Sequence, residues 1–172
     1  MPIYTEDVDS DEGFTISLDK MDKIIEISEE DFLLLAEAGA TVNECRETVL
    51  SRNLFFPLES SDMSLLEAIN TPITPDFKYY VLGVRMIAAS GEVLRFGGRT
   101  VKNVTGYNIG GFLSGAKGIF GIVTQLTIKL TPLPKYDYQP QKENGNEYPD
   151  LLSRLKAELD SNNILNRHIL NL

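Results

Sequence analysis

A single cysteine, Cys45, and a single histidine, His168, leave this sequence short of metal-ligating and nucleophilic side chains. One thiol excludes an intramolecular disulfide framework and any multi-cysteine metal or iron–sulfur site. One imidazole excludes a two-histidine zinc centre within one chain. A nucleophilic triad needs a base beside its nucleophile, and His168 sits beside Arg167 near the end of the sequence, which argues against a catalytic role. No apolar run approaches the ~18 residues of a membrane span. The opening MPIYTEDVDSDEG is acidic, unlike a secretory signal. These absences predict a soluble, reduced-compartment, cytoplasmic protein whose 172 residues make one domain, or one and a fragment.

Basic residues are scarce over the first 77 positions. Residues 1–31 hold 11 acids and 2 bases, and residues 32–77 hold 7 acids and 2 bases. Residues 78–135 reverse the balance, with 8 bases against Glu92 alone, and residues 136–172 hold 6 acids and 4 bases. The net charge of −9 argues against a nucleic-acid partner, because a polyanion gains little from such a surface. The basic middle has two readings. It attracts a phosphate-bearing cofactor or an acidic partner, or it offsets the chain's own acidic start across the fold.

The patterning predicts an α+β protein, mainly antiparallel sheet with flanking helices. GFTIS (13–17) and IIEIS (24–28) read as short strands around a tight LDKMDK connection, and the spacing of FLLLAEAG (32–39) suggests a third strand of a meander, with a helix left open by periodicity alone. Thr41 is a good N-cap with Glu44 as capping-box partner, for a helix running to about residue 52. Val42, Cys45, Val49 and Leu50 fall near one face of it, so Cys45 reads as a small core residue. Residues 55–77, broken by Pro57, Pro72 and Pro75, are irregular, with room for a helical turn or two at 64–70. Residues 79–90 read as a long strand, 93–98 as its hairpin partner, and 122–133 as a further strand. Residues 135–149 have linker composition, and 150–160 form an amphipathic helix with Leu151, Leu155 and Leu159 spaced by four.

Carboxylates cluster at 7–12 and 29–31, but in solvated acidic runs with no apolar pocket to shift their protonation. The glycines are more informative. Gly106, Gly110, Gly111, Gly115, Gly118 and Gly121, 6 of the 13 in the chain, fall within 16 residues just before a strand. Such density lets backbone N–H groups approach a ligand and permits left-handed turns. Neither GxxxxGK[ST] nor GxGxxG occurs. Glycine-rich turns in a tightly packed fold and a ligand-binding loop both remain open.

Three motifs carry a family resemblance: GEVLRFGG (91–98), KNVTGYN (102–108) and GAKGIFGIVT (115–124). Residues 81–134 closely resemble the flavin domain of the FAD-linked oxidases of the vanillyl-alcohol-oxidase superfamily, in the branch of glycolate oxidase FAD subunits and D-lactate dehydrogenases. Residues 13–62, ending in FFPLESSD, resemble the strand–strand–helix that leads to that family's FFPxDPSS segment. Residues 151–170, LLSRLKAELDSNNILNRHIL, resemble its C-terminal helix.

The resemblance implies a shortened PCMH-type FAD-binding domain at 13–134, after an acidic segment at 1–12. A linker at 135–149 and a helix and tail at 150–172, packing back on the domain, complete the division. It also implies FAD as cofactor, either retained or lost. The backbone of Gly115, Lys117, Gly118, Gly121, Ile122 and Val123 would lie along it, with Pro57, Ser60 and Ser61 near the flavin or its phosphates. Lys102 and Lys117 would add positive charge. Several family elements have no counterpart. The first subdomain, with its pyrophosphate-wrapping PxGGGTS loop, is missing before Gly13. TIGGxxATNAGG is reduced to MSLLEAINTPITPDF (63–77), and the substrate cap is reduced to about fifteen polar residues. The cap's metal-ligand histidines and catalytic base go with it, so neither a catalytic nor a metal residue is assigned. The resemblance thus implies an FAD-binding component of a 2-hydroxy-acid oxidoreductase. Its site would be completed by a second copy or by other subunits of a glycolate-oxidase-like complex. The alternative is a degenerate, flavin-free scaffold or assembly subunit.

Overall fold

The computed structural model describes residues 16–71, 76–98, 109–133 and 149–162. Two hairpins and a returning strand build its sheet. β1 (Ile24–Ser28) pairs antiparallel with β2 (Leu33–Glu37), and β4 (Val81–Ile87) with β5 (Val93–Gly97). β6 (Ile122–Lys129) enters between them and pairs antiparallel with both β2 and β4, giving the order β1-β2-β6-β4-β5. A two-residue ladder joins β3 (Leu54–Phe55) to β7 (Thr131–Pro132). The architecture is α+β and mainly antiparallel, as the patterning predicts.

The pleat sorts the side chains. Leu34, Ala36, Val84, Met86, Leu126 and Ile128 share one face and are buried. They belong to the same core as Val42, Cys45 and Val49 of α1 (Val42–Leu50) and Leu65, Leu66, Ala68 and Ile69 of α2 (Leu65–Asn70). The run FLLLAEAG is therefore a strand. Its Ala36 and Ala38 are fully buried in this core.

Glu37, Gln125, Arg85 and Arg95 fall on the other, more polar face. Arg85 and Arg95 stand directly opposite each other on β4 and β5. Like charges in that relation are destabilising. Arg95→Glu is therefore expected to raise stability by about 0.5–1 kcal/mol, read as a higher urea midpoint at unchanged slope. A lower midpoint would contradict the pairing.

Both helix starts are written in the sequence. Thr41 Oγ1 accepts the Glu44 N–H at 3.2 Å and the Glu44 carboxylate accepts the Thr41 N–H at 3.3 Å. This is the reciprocal cap expected from the sequence. Ser64 and Glu67 make a second one at 3.2 and 2.8 Å, from the same S-x-x-E spacing.

Several boundaries differ from expectation. Residues 13–15 lie outside the described residues, and Ile16 and Ser17 are not strand, so among the described residues the expected meander is the β1–β2 hairpin alone. The long strand starts at Val81 instead of Tyr79, because Phe77–Tyr79 close a 3-10 turn in which the Tyr80 N–H donates to the Phe77 carbonyl. The strand from 122 stops at Lys129, and the chain turns at Leu130 to reach β3. Gly110 and its neighbours form a short helix, α3 (Ile109–Leu113), where strand-free glycine-rich chain is expected. α4 is Pro149–Leu159. Residues 134–148, with most of the expected linker, lie outside the described residues.

Candidate functional site

Residues 114–121 connect α3 to β6 and fold back on the C-terminal end of α2. The Gly115 N–H donates to the Ile69 carbonyl at 3.2 Å, and the Lys117 N–H donates to Asn70 Oδ1 at 2.9 Å. The other end of the same amide, Asn70 Nδ2, donates to the Leu66 carbonyl at 2.9 Å. Asn70 thus ties the loop to the helix that precedes it. Three residues here are left-handed: Gly115 (φ 74°), Lys117 (φ 45°) and Gly118 (φ 77°), with Gly121 at φ 153°. Lys117 is the non-glycine among them, a conformation that costs about 1–2 kcal/mol for an ordinary residue and that the Asn70 bond helps to hold.

The glycines of this stretch do different jobs. A Cβ on Gly110 would lie 1.9 Å from the Lys78 carbonyl oxygen, and one on Gly121 would lie 2.3 Å from Met86 Cε and 2.6 Å from the Ile87 carbonyl. Both are packing glycines, in line with the first reading of the cluster. A Cβ on Gly115 would meet nothing within 4 Å. Gly115 is exposed, so the loop presents its backbone edge to open space there. Ile122 and Val123 are strand residues paired with Ile87 and Met86, and the Val123 side chain is buried.

Ser60 and Ser61 lie at the other end of α2, against the start of α1, and Pro57 precedes them in the same segment. Ser60 Oγ donates to Asn43 Oδ1, and Asn43 Nδ2 donates to Asp62 Oδ1 at 2.7 Å. The Ser61 carbonyl accepts the Asn43 N–H at 3.1 Å and its hydroxyl accepts the Met63 N–H at 3.1 Å. The structure thus brings Gly115, Lys117, Gly118 and Gly121 together and sets the two serines apart from them, across a helix of six residues, about 9 Å long. Lys102 lies outside the described residues, as does His168.

Phosphate binding draws on helix N-termini and loose backbone donors, and here most are spent. On α1, Val42, Asn43 and Glu44 donate to the Met63 carbonyl, the Ser61 carbonyl and Thr41 Oγ1. On α2, Leu65, Leu66 and Glu67 donate to the Ala40 carbonyl, the Ala38 carbonyl and Ser64 Oγ. In the loop, the N–H groups of 115, 116, 117, 119 and 121 are bonded within the chain. The void between loop and α2, lined by Leu66, Ile69, Asn70, Leu113 and Phe120 among others, is about 10 Å³, the size of a water. A groove of about 250 Å³ near the end of α4 is lined by Ser90, Glu92, Glu158 and Asp160 among others, with no basic side chain. The described residues therefore leave an open backbone edge at Gly115, and do not by themselves enclose a flavin or its diphosphate.

Other chemistry is scarce. Cys45 is fully buried, and burial, with the Glu44 carboxylate beside it, pushes its thiol up to about 12. It is a core residue and a poor nucleophile. Among the described residues no group of histidine, cysteine and carboxylate side chains could hold a metal ion. No helix there is long and apolar enough to cross a membrane.

The sequence model of the FAD binding domain matches residues 3–97, more than half of the chain. The chain belongs to the FAD-binding-domain family. That match takes in Pro57, Ser60 and Ser61 and stops before the glycine-rich loop; similarity to whole proteins extends further. Glycolate oxidase subunit GlcD of Bacillus subtilis is 29% identical over 136 residues, covering 72% of this chain and 28% of that protein. A D-lactate dehydrogenase of Archaeoglobus fulgidus is 28% identical over 134 residues, covering 73% and 30%. Glycolate oxidase subunit GlcE of Escherichia coli is 35% identical over 72 residues, covering 42% and 21%. The chain thus spans under a third of the length of these curated relatives. The FAD-linked-oxidase resemblance read from the motifs is the relationship these comparisons find. Asn70, which holds the loop from α2, carries no such signal in the sequence.

Proposed function

We propose that this chain is the FAD-binding component of a glycolate-oxidase-like, 2-hydroxy-acid flavin oxidoreductase, with the cofactor site completed by a partner subunit or a second copy. The observation that supports it most is the open backbone edge at Gly115, held in a left-handed loop by Asn70. It lies in a chain of the FAD-binding-domain family with glycolate oxidase subunits among its relatives. When bound, FAD supplies the two-electron acceptor for oxidation of a hydroxyl-bearing carbon. The chain's own share is support: the backbone of Gly115, Lys117, Gly118, Gly121, Ile122 and Val123 runs along the cofactor, Pro57, Ser60 and Ser61 lie near the flavin or its phosphates, and Lys102 and Lys117 add charge. We assign residues 1–12 to an acidic segment, 13–134 to the domain, 135–149 to a linker and 150–172 to a C-terminal helix and tail, in a cytoplasmic protein.

The spent helix N-termini explain the need for a completing surface. Each charge-assisted bond missing from the diphosphate removes about 1.5–3 kcal/mol, so two lost bonds weaken binding by about 10² to 10⁴-fold. The same saturation favours a second reading, a flavin-free scaffold or assembly subunit derived from the family.

Flavin fluorescence titration of the full chain, alone and mixed with GlcD- and GlcE-type subunits, separates the two. Quenching with a yellow, co-eluting complex in the mixture, and weak or no quenching alone, is the expected result. Colourless protein in every mixture, at a defined oligomeric state, would replace the first reading by the second.

A further inference from the structure

Lys156 of α4 and Asp160 just after its end are 2% and 3% exposed, and they are the only buried charged side chains among the described residues. Lys156 Nζ donates to Asp160 Oδ2 at 2.5 Å and to the carbonyl oxygen of Ile119 at 2.8 Å, 37 positions away. Leu155 and Leu159 of the same helix pack against the core. Taking an ion pair out of water is costly, and well-packed apolar residues of similar volume often serve stability as well or better. What an apolar pair cannot do is choose the direction of a carbonyl. Ile119 lies between Gly118 (φ 77°) and Gly121 (φ 153°), where the backbone has wide rotational freedom. Its trans peptide holds the Ile119 C=O and the Phe120 N–H in opposite senses. The bond from Lys156 therefore fixes the orientation of both groups in the loop.

From this geometry we infer that Lys156, held in place by Asp160, is a positioning residue. It clamps the 119–120 peptide from α4, and the docked helix thereby sets the conformation of the loop that borders FAD. The FAD part of this rests on the function proposed above; the coupling between helix and loop does not. Asn70 holds the same loop from α2 at Lys117, so the segment is fixed at two points by side chains from two elements. Undocking α4 releases one of them.

The test uses the full chain and the double variant K156M/D160L, which keeps the packing volume and removes the directional bond. Its melting temperature should stay within a few degrees of wild type. Amide hydrogen exchange across residues 115–121 should accelerate at least about tenfold, the factor carried by one hydrogen bond to a charged group. In the flavin-binding mixture, half-saturation by FAD should move to at least about tenfold higher concentration with an altered visible absorbance band. Unchanged loop exchange in a folded double variant overturns the inference. Should the variant unfold, wild-type exchange in a urea series decides: amides of 115–121 and of α4 must open together, and independent opening overturns the clamp. Wild-type protein that holds no flavin in any mixture sinks the FAD reading and leaves the exchange comparison to judge the clamp.

Discussion

Gly121→Ala is expected to lower the unfolding free energy by about 3 kcal/mol or more, whereas Gly115→Ala, six residues upstream, should cost only about 1–2 kcal/mol. Both positions have positive φ, 153° and 74°. The difference lies in what surrounds them. The new methyl at 121 would sit 2.3 Å from Met86 Cε and 2.6 Å from the Ile87 carbonyl oxygen. The methionine end can swing aside, but the Ile87 carbonyl belongs to β4, which is held on both edges by β5 and β6. Relief requires moving a central strand or the start of β6, and either opens the core at Met86 and Val123, which are 0% and 4% exposed. At 115 the methyl enters open space, and only the left-handed backbone objects. Urea unfolding followed by far-UV circular dichroism measures both. Equal, mild losses would mean that residues 114–121 reroute at little cost, which would also remove the basis for a rigid cofactor edge. Gly115→Ala carries a second readout. Because it spares the fold and fills the space above the loop, it should weaken flavin binding in the mixture by more than its stability cost explains.

These two glycines also mark how far the sequence could be read. Local rules were sufficient wherever the cause was local. The Thr41–Glu44 spacing places α1 by itself, alternation places β4, β5 and β6, and Ser64-x-x-Glu67 starts α2. The site depends on long-range geometry that spacing does not carry. Six clustered glycines look alike in the sequence. Their jobs separate only when Lys78 and Ile87 are brought up against Gly110 and Gly121, leaving Gly115 bare. Asn70 ends a six-residue helix, where its amide would ordinarily be a solvated cap; its bond to Lys117 spans 47 positions. Lys156 and Asp160 look like an ordinary solvent-facing i, i+4 pair on an amphipathic helix. Their burial follows from docking on Ile119, which helical periodicity cannot report. The same holds for β3 and β7, two residues each, which exist only because each is the other's partner. Motif resemblance reached the loop where periodicity could not, since it carries the spatial outcome of a whole family. It still did not say that the helix N-termini here are filled by Ser61, Met63, Ala38 and Ala40.

The buried thiol makes the remaining large prediction, a loss of stability in alkali. In the fold Cys45 stays protonated to about pH 12, chiefly because its burial penalises the thiolate and secondarily because Glu44 repels it, whereas an ordinary thiol releases its proton near 9.0. Between those values the unfolded chain has lost a proton that the native chain still holds, so unfolding releases one proton and rising pH favours it. Below pH 9 this group contributes no slope. Above it, stability should fall by about 1.4 kcal/mol per pH unit from this site alone. Cys45→Ala isolates the effect from other alkaline titrations. It should cost about 1 kcal/mol at pH 7.5, for the lost packing of a fully buried sulfur. It removes the slope, so the two stability curves are expected to cross near pH 10 by the same arithmetic. Parallel curves from pH 8 to pH 11 would mean that the thiol ionises as readily in the native state as in the unfolded one. Such a thiol would be reachable by water, and the seam between α1 and the sheet would be open. Alkylation offers an independent check at neutral pH: with the seam closed, the Cys45 sulfur should react with iodoacetamide only at the rate set by unfolding, rising in step with the fraction unfolded in urea.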